Sequence, residues 1–306
     1  MKRKVIKQGH NTLTITLPAK WVENNGIKSG DELDIEEKKK TLLLSSAAPK
    51  KISKSKLDAD SLDLFLLKRY FNTLYKMGVD EIELTFSDPN IILSLQEILQ
   101  KNLIGYEIIS QTKSSCIIRS LSVINDSEFE NTLRRTFLLL KSLSQETFNA
   151  IKTKDIVYFK SSSMLEENNN RLTTYCRRIL NKNGYKDDAK IAFIYLIVEQ
   201  LEKIADEYKY LSDQFEKKEY DLKNVSDDTI KLYGKVNSFL EEFYEIFYNY
   251  SKERTVQFSK SYREIVTKSY SLLEVKKKEE VIVLHHLMTI TRDIFDILAP
   301  TIALVL

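Results

Sequence analysis

Gly9-His10-Asn11-Thr12-Leu13-Thr14-Ile15-Thr16-Leu17-Pro18-Ala19-Lys20-Trp21, with Gly26-Ile27-Lys28-Ser29-Gly30-Asp31 close behind it, is the stretch on which the reading of this chain turns. Leu13, Ile15 and Leu17 alternate with Thr12, Thr14 and Thr16, the period of a strand with one buried face. Pro18 stops that strand and suits the first turn of a helix over Ala19–Asn25. Gly26 can supply the left-handed cap that ends it. Leu33 and Ile35 alternate again, and a last apolar run spans Leu42 to Leu44. With a weakly alternating Lys4–Lys7 in front, the order is strand, strand, short helix, strand, strand within residues 1–46. Chains below about 40–50 residues usually need a metal, a disulfide or a partner to stay folded. This segment has no cysteine and no metal spacing, so a second copy of itself, in a homodimer, is the expected solution.

Charge is distributed unevenly. The whole chain of 306 residues carries a formal net charge of only +3. Residues 1–28, however, hold six Lys or Arg (Lys2, Arg3, Lys4, Lys7, Lys20, Lys28) against the single acid Glu23. Asp31, Glu32, Asp34, Glu36 and Glu37 follow at once. The asymmetry makes one side of a small domain positive, and cations in a strand-rich module neutralise phosphates and release counterions. Asn11, Thr12 and Thr14 add hydrogen-bonding groups for phosphates or base edges.

Beyond residue 46 the chain reads as three further parts. Residues 47–57, rich in Ser, Ala and Lys, read as a linker whose lysines are solvated. Residues 58–123 read as a small α+β domain. Its first helix carries Leu62, Phe65, Leu66, Tyr70, Leu74 and Met77 as a stripe ended by Gly78. A strand over Ile82–Phe86, a second helix behind Asp88-Pro89 and two strands, Tyr106–Gln111 and Ser115–Leu121, complete it. From residue 126 to 306 only helical periodicity appears. About six helices in two groups of three imply two antiparallel three-helix bundles of similar length and order. The clearest helix, over Asp187–Lys217, steps through Ile194, Ile197, Leu201, Ile204, Tyr208, Leu211 and Phe215. The fold class is therefore mainly α with a small β amino terminus.

The amino-terminal pattern resembles the AbrB/SpoVT/MazE swapped-hairpin family of DNA-binding domains. The resemblance rests on Gly9-x-x-Thr12-Leu13-Thr14-Ile15-Thr16-Leu17-Pro18-x-Lys20-Trp21 and Gly26-Ile27-Lys28-x-Gly30-Asp31. It implies that two chains interleave into one barrel that grips duplex DNA. By position it implies Lys2, Arg3, Lys7, Asn11 and Lys20 as the DNA-contacting residues.

Glu199, Glu202 and Asp206 stand three and four residues apart and share one helix face. That face lies opposite the apolar stripe and is expected to be exposed. Leu201-Glu202-Lys203-Ile204-Ala205-Asp206 resembles the Glu-x-x-x-Asp motif of PhoU proteins. The resemblance implies that these carboxylates hold a divalent metal or iron, for which hard oxygen ligands are suited. At the corresponding place in the final helix stands Arg292-x-x-x-Asp296, where a cation replaces the first ligand. His285 and His286 read as ordinary helix residues. Together the two resemblances imply an archaeal phosphate-uptake regulator, with transcriptional or signalling control of phosphate import. The partners implied are DNA, a second copy, and a phosphate ABC-transporter ATPase or a signalling kinase.

Other chemistry is not encoded in recognisable form. There is no phosphate-cradling Gly-Lys-Ser/Thr loop and no Gly-x-Gly-x-x-Gly. His10, His285 and His286, with the distant Cys116 and Cys176, make no triad and no zinc spacing. No enzyme activity and no required cofactor are expected. Two isolated cysteines, no signal-peptide pattern and no apolar run of about 18 residues lead to a cytoplasmic chain without membrane insertion.

Overall fold

The computed structural model describes residues 1–38, 41–46, 52–121, 128–216, 220–274 and 277–306. It divides into two compact units, Met1–Ile52 and Ser53–Leu306.

The first unit holds two antiparallel hairpins. Strands β1 (Ile6–Gln8) and β2 (Thr12–Thr14) pair with Lys7 opposite Leu13. Helix α1 (Ala19–Asn24) follows Pro18, whose carbonyl accepts hydrogen bonds from Trp21 and Val22 at 2.9 and 3.0 Å. Gly26, at φ +64°, turns the chain out of α1, a conformation that costs glycine nothing. Strands β3 (Leu33–Lys38) and β4 (Thr41–Ser46) pair with Ile35 opposite Leu44 and Glu37 opposite Leu42. That register puts Leu33, Ile35, Leu42 and Leu44 on one face of the second hairpin.

The second unit opens with an α+β layer. Strands β5 (Lys54–Asp58), β6 (Glu81–Thr85), β7 (Tyr106–Gln111) and β8 (Ser115–Ser120) form one sheet in the order β5-β6-β8-β7. The β5–β6 pair is parallel and the others antiparallel. Residues 54–58 therefore belong to the sheet and not to the linker expected over 47–57, whose residues 47–51 lie outside the described ones. Lys54-Ser55-Lys56-Leu57-Asp58 carries the polar residues of a sheet edge, so it shows no apolar alternation in sequence. A charged row secures it: Lys54 and Arg119 both bind Glu81 from the neighbouring strands, at 2.7 Å and at 2.8 Å through Nε.

Helices α2 (Leu64–Lys76) and α3 (Ile91–Asn102) connect the strands. Asp63 caps α2 by accepting the Leu66 N–H at 2.7 Å. The buried side of α2 is Leu67, Phe71 and Tyr75. Of the stripe expected from the sequence, Phe65, Leu66, Tyr70 and Met77 are exposed. Both rows have helical spacing, and only the packing selects between them.

The remainder is helical: α4 (Glu128–Thr153), α5 (Val157–Asn183), α6 (Ile191–Glu216), α7 (Asp227–Tyr248), α8 (Lys252–Leu273), α9 (Lys278–Asp296) and α10 (Leu298–Val305). Helices α4, α5 and α6 pack together, as do α7, α8 and α9, with α4 against α7 and α6 against α9 joining the groups. All seven residues of the expected stripe on α6, from Ile194 to Phe215, are buried. In the second group Phe239 stacks on Phe258 with ring centroids 4.0 Å apart, and Tyr262 on Phe295 at the same separation. The final helix is not continuous: it breaks at Ile297, and α10 packs on α6.

Helix α5 also packs on α2 and α3, which makes the α+β layer and the helical array one body. Arg178 is fully buried at that junction. Its Nη1 donates to the carbonyls of Tyr75 at 2.9 Å and Val79 at 2.7 Å, and its Nη2 pairs with Asp80 at 3.2 Å. The guanidinium lies 4.7 Å from the Tyr75 ring centroid and 5.1 Å from that of Tyr106. Lys182 pairs with the same Asp80, and Asn181 donates to the Lys76 carbonyl at 2.7 Å. Three side chains of α5 thus satisfy carbonyls and a carboxylate around the end of α2. Gly78, at φ +83°, makes the turn into β6, and a Cβ there would stand 3.3 Å from that of Lys182.

Arg178→Ala should lower the unfolding free energy of the full chain by about 3 kcal/mol, through the loss of its charge-assisted hydrogen bonds to Tyr75, Val79 and Asp80 and of its packing between two aromatic rings, while Lys182 keeps Asp80 paired. Urea titration followed by circular dichroism measures it, and a loss under about 1 kcal/mol would contradict the assignment.

Candidate nucleic-acid interface

The five residues carried over as DNA contacts all lie in the first unit, and all five are exposed. Lys2 and Arg3 precede β1. Lys7 is the central residue of β1, on the same hairpin face as its partner Leu13. Asn11 closes the turn into β2, and Lys20 is the second residue of α1. Apart from Glu23 on α1, the acids stand elsewhere on the module. Asp31 accepts the Lys28 N–H at 2.8 Å in the turn before β3, and Asp34 and Glu37 lie on β3. Lys2, Arg3 and Lys7 thus stand on or just before the first hairpin, Lys20 shares α1 with Glu23, and Asp34 and Glu37 belong to the second hairpin.

Among the described residues of this unit none is buried. Leu13 is 69 % exposed and Ile35 64 %, and Val5, Ile6, Ile15, Leu42 and Leu43 are exposed as well. Isolated surface leucines are ordinary, but an entire module without a core is not. Each such side chain would gain about 1.5–3 kcal/mol on full burial.

The three carboxylates of α6 occupy a different setting from the exposed one expected. Arg177 of α5, 1 % exposed, donates through Nη1 to Glu199 and through Nη2 to Glu202, and its Nε reaches the Thr173 carbonyl at 3.3 Å. Thr173 also donates to Glu202. Burial and the nearby Arg177 push the Lys76 ammonium of α2 below its ordinary value, with Glu202 and Glu199 opposing. Burial pushes the Glu202 carboxyl above its ordinary value, with Arg177 opposing. The sequence places these acids opposite the α6 core stripe; that side is half-buried against α5, with Glu199 still 38 % and Glu202 23 % exposed.

Asp206 joins a second cluster one turn along. Asn170 donates to its Oδ1 at 3.2 Å and to Glu166 at 2.6 Å, while Lys209 approaches both Glu166 oxygens at 3.3 and 3.4 Å. Among the described residues no group of three or more His, Cys, Asp or Glu is placed to hold a metal ion. The guanidinium of Arg177 already supplies positive charge between Glu199 and Glu202, so these residues do not fit a cation. At the corresponding place on α9, Arg292 donates to the Tyr270 hydroxyl at 3.0 Å. His286, read as an ordinary helix residue, pairs with Glu207 of α6 at 2.7 Å.

The sequence reading missed Arg177, Arg178, Asp80, Glu166 and Lys209. The tandem arginines were the available signal, because they interrupt an otherwise core-like Leu172–Leu180.

The first unit is a small, β-rich module of two hairpins and one short helix. Comparison with protein families matches residues 6–55 to MazE, described as antidote-toxin recognition, bacterial antitoxin. Comparisons with curated proteins and with solved structures give no significant match. No helix among the described residues is long and apolar enough to cross a membrane.

Burial raises the Glu166 carboxyl well above the ordinary glutamate range; Lys209 opposes this and Asp206 adds to it. A carboxyl raised in the folded state contributes stability that is fully present below its unfolded pKa and is lost as pH rises through the folded one. The protein should therefore lose stability between the ordinary glutamate pKa of about 4.3 and neutrality. Glu166→Gln should flatten that part of the profile, measured as melting temperature against pH. An unchanged slope in the variant would refute the role given to this carboxyl.

Proposed function

We propose that the chain is a homodimeric DNA-binding regulator that acts by binding and not by catalysis. The observation that carries the proposal is the first unit: a MazE/AbrB-type module in which none of the described residues is buried and in which Lys2, Arg3, Lys7 and Lys20 are exposed on or near the first hairpin and α1. Pairing two copies would cover Ile35, Leu42 and their neighbours and would double the number of exposed cations. Lys2, Arg3, Lys7 and Lys20 would neutralise phosphates, and Asn11 would hydrogen-bond at the turn.

The second unit would then be the sensing or docking part. Its two groups of three helices and the Glu202-x-x-x-Asp206 motif support a PhoU-like role in phosphate homeostasis. In that reading the helices receive the signal from a phosphate-transporter ATPase or a kinase, and no metal is needed at the Arg177-bound carboxylates.

Light scattering and fluorescence anisotropy with duplex DNA test the proposal. The scattering mass should be twice that of the chain at micromolar concentration. DNA affinity should fall by about 10³-fold between 50 and 200 mM salt if six or more phosphates are neutralised. Replacing Lys2, Arg3, Lys7 and Lys20 together by alanine should abolish binding and leave the dimer intact. A monomer would overturn the first half of the proposal. A dimer silent toward DNA at low salt would overturn the second and leave a dimeric adaptor.

A further inference from the structure

Helices α7 and α8 are joined by residues 249–251 and pack through the stacked rings of Phe239 and Phe258. Between the first half of α7 and the second half of α8 lies a groove of about 570 Å³. Ordinary small-molecule sites span about 300–1,000 Å³. Lys231 and Lys235 line it from α7, and Arg263 and Lys268 from α8, with Thr267 beside them. Leu232, buried between the helices, and the lysine stems give it an apolar floor. Two acids share the lining. Asp228 stands 3.6 Å from Lys231 and offsets it. Glu264 and Lys268 have the spacing of a helix ion pair but are not joined. Among the described residues Lys235, Arg263 and Lys268 have neither a hydrogen bond nor an ion-pair partner. Unpaired cations from two helices thus surround one hollow, and like charges so gathered repel until an anion lies between them.

We propose that this groove binds a small polyphosphorylated molecule of nucleotide size, whose phosphates bridge α7 and α8. Charge and shape select that occupant. A run of two or three phosphates offers acceptors to the cations of both helices at once, and Arg263 can take two oxygens as a fork. The Thr267 hydroxyl adds a neutral donor. A DNA duplex or an anionic bilayer presents a broad negative face, against which Asp228 and Glu264 would be pressed. A compact ligand settles among the cations and leaves those carboxylates to its hydroxyl or amine donors. The proposal gives the sensing role of the second unit a ligand class, and it uses no residue of the first unit.

Isothermal titration calorimetry tests it on the full chain carrying Lys2→Ala, Arg3→Ala, Lys7→Ala and Lys20→Ala, so that the first unit adds no phosphate binding of its own. ATP and inorganic tripolyphosphate should each bind at one site per chain, and orthophosphate at least tenfold more weakly. Adding Lys235→Ala and Arg263→Ala should weaken ATP at least tenfold. Both side chains are exposed, so circular dichroism should match that of the parent. No binding of ATP, indifference to the double substitution, equal affinity for orthophosphate, or more than one ATP per chain would each overturn the proposal. So would a short DNA duplex or phosphatidylserine vesicles held as tightly as ATP and released by the same substitutions, which would assign the groove to nucleic acid or lipid. None of these outcomes touches the dimer or its DNA contacts, which are measured on the unaltered first unit.

Discussion

Two adjacent arginines in the middle of α5 hold the second unit together, and each is tied to a different neighbour. Arg178 turns to the α+β layer, where it meets the carbonyls that end α2 and the carboxylate of Asp80. Arg177 turns to α6 and meets Glu199 and Glu202. A guanidinium buried to 1 % or less is tolerable only when its donors are satisfied, and here carbonyls, carboxylates and aromatic faces do so. The sheet, α2 and the first helical group are therefore built around one helix.

The same arrangement sets what the acidic face of α6 can do. Three carboxylates at helical spacing look like a cation site until the opposing helix is known. With Arg177 inserted and Lys76 of α2 nearby, the charge is balanced within the protein. Glu199 and Glu202 serve the contact between α5 and α6.

Much of this was legible in the sequence. The order strand, strand, helix, strand, strand of the first module is legible, with the Gly26 turn, but β2 ends at Thr14, short of Leu17 and Pro18, and Leu13 and Ile15 are exposed because this small module buries none of its described residues. The stripe on α6 was read residue for residue. Other features were hidden for physical reasons. Strand β5, Lys54-Ser55-Lys56-Leu57-Asp58, is an edge strand held by its ladder with β6, and Leu57 is the one apolar side chain it packs on the core, too little for an alternation signal. On α2 two rows have helical period, and which one meets the sheet depends on tertiary packing. The acids of α6 were placed on the side opposite its core stripe correctly, but periodicity cannot show that a further helix covers that side.

An α-helix turns about 100° per residue, so adjacent side chains point in widely different directions. Arg177 and Arg178 use that angle to serve two neighbours from one position along α5. One residue added or lost among 172–180 would swing part of α5 off its partners by the same angle. The spacing along this helix is thus fixed by two sets of contacts at once, and variation in length belongs in the connections between helices.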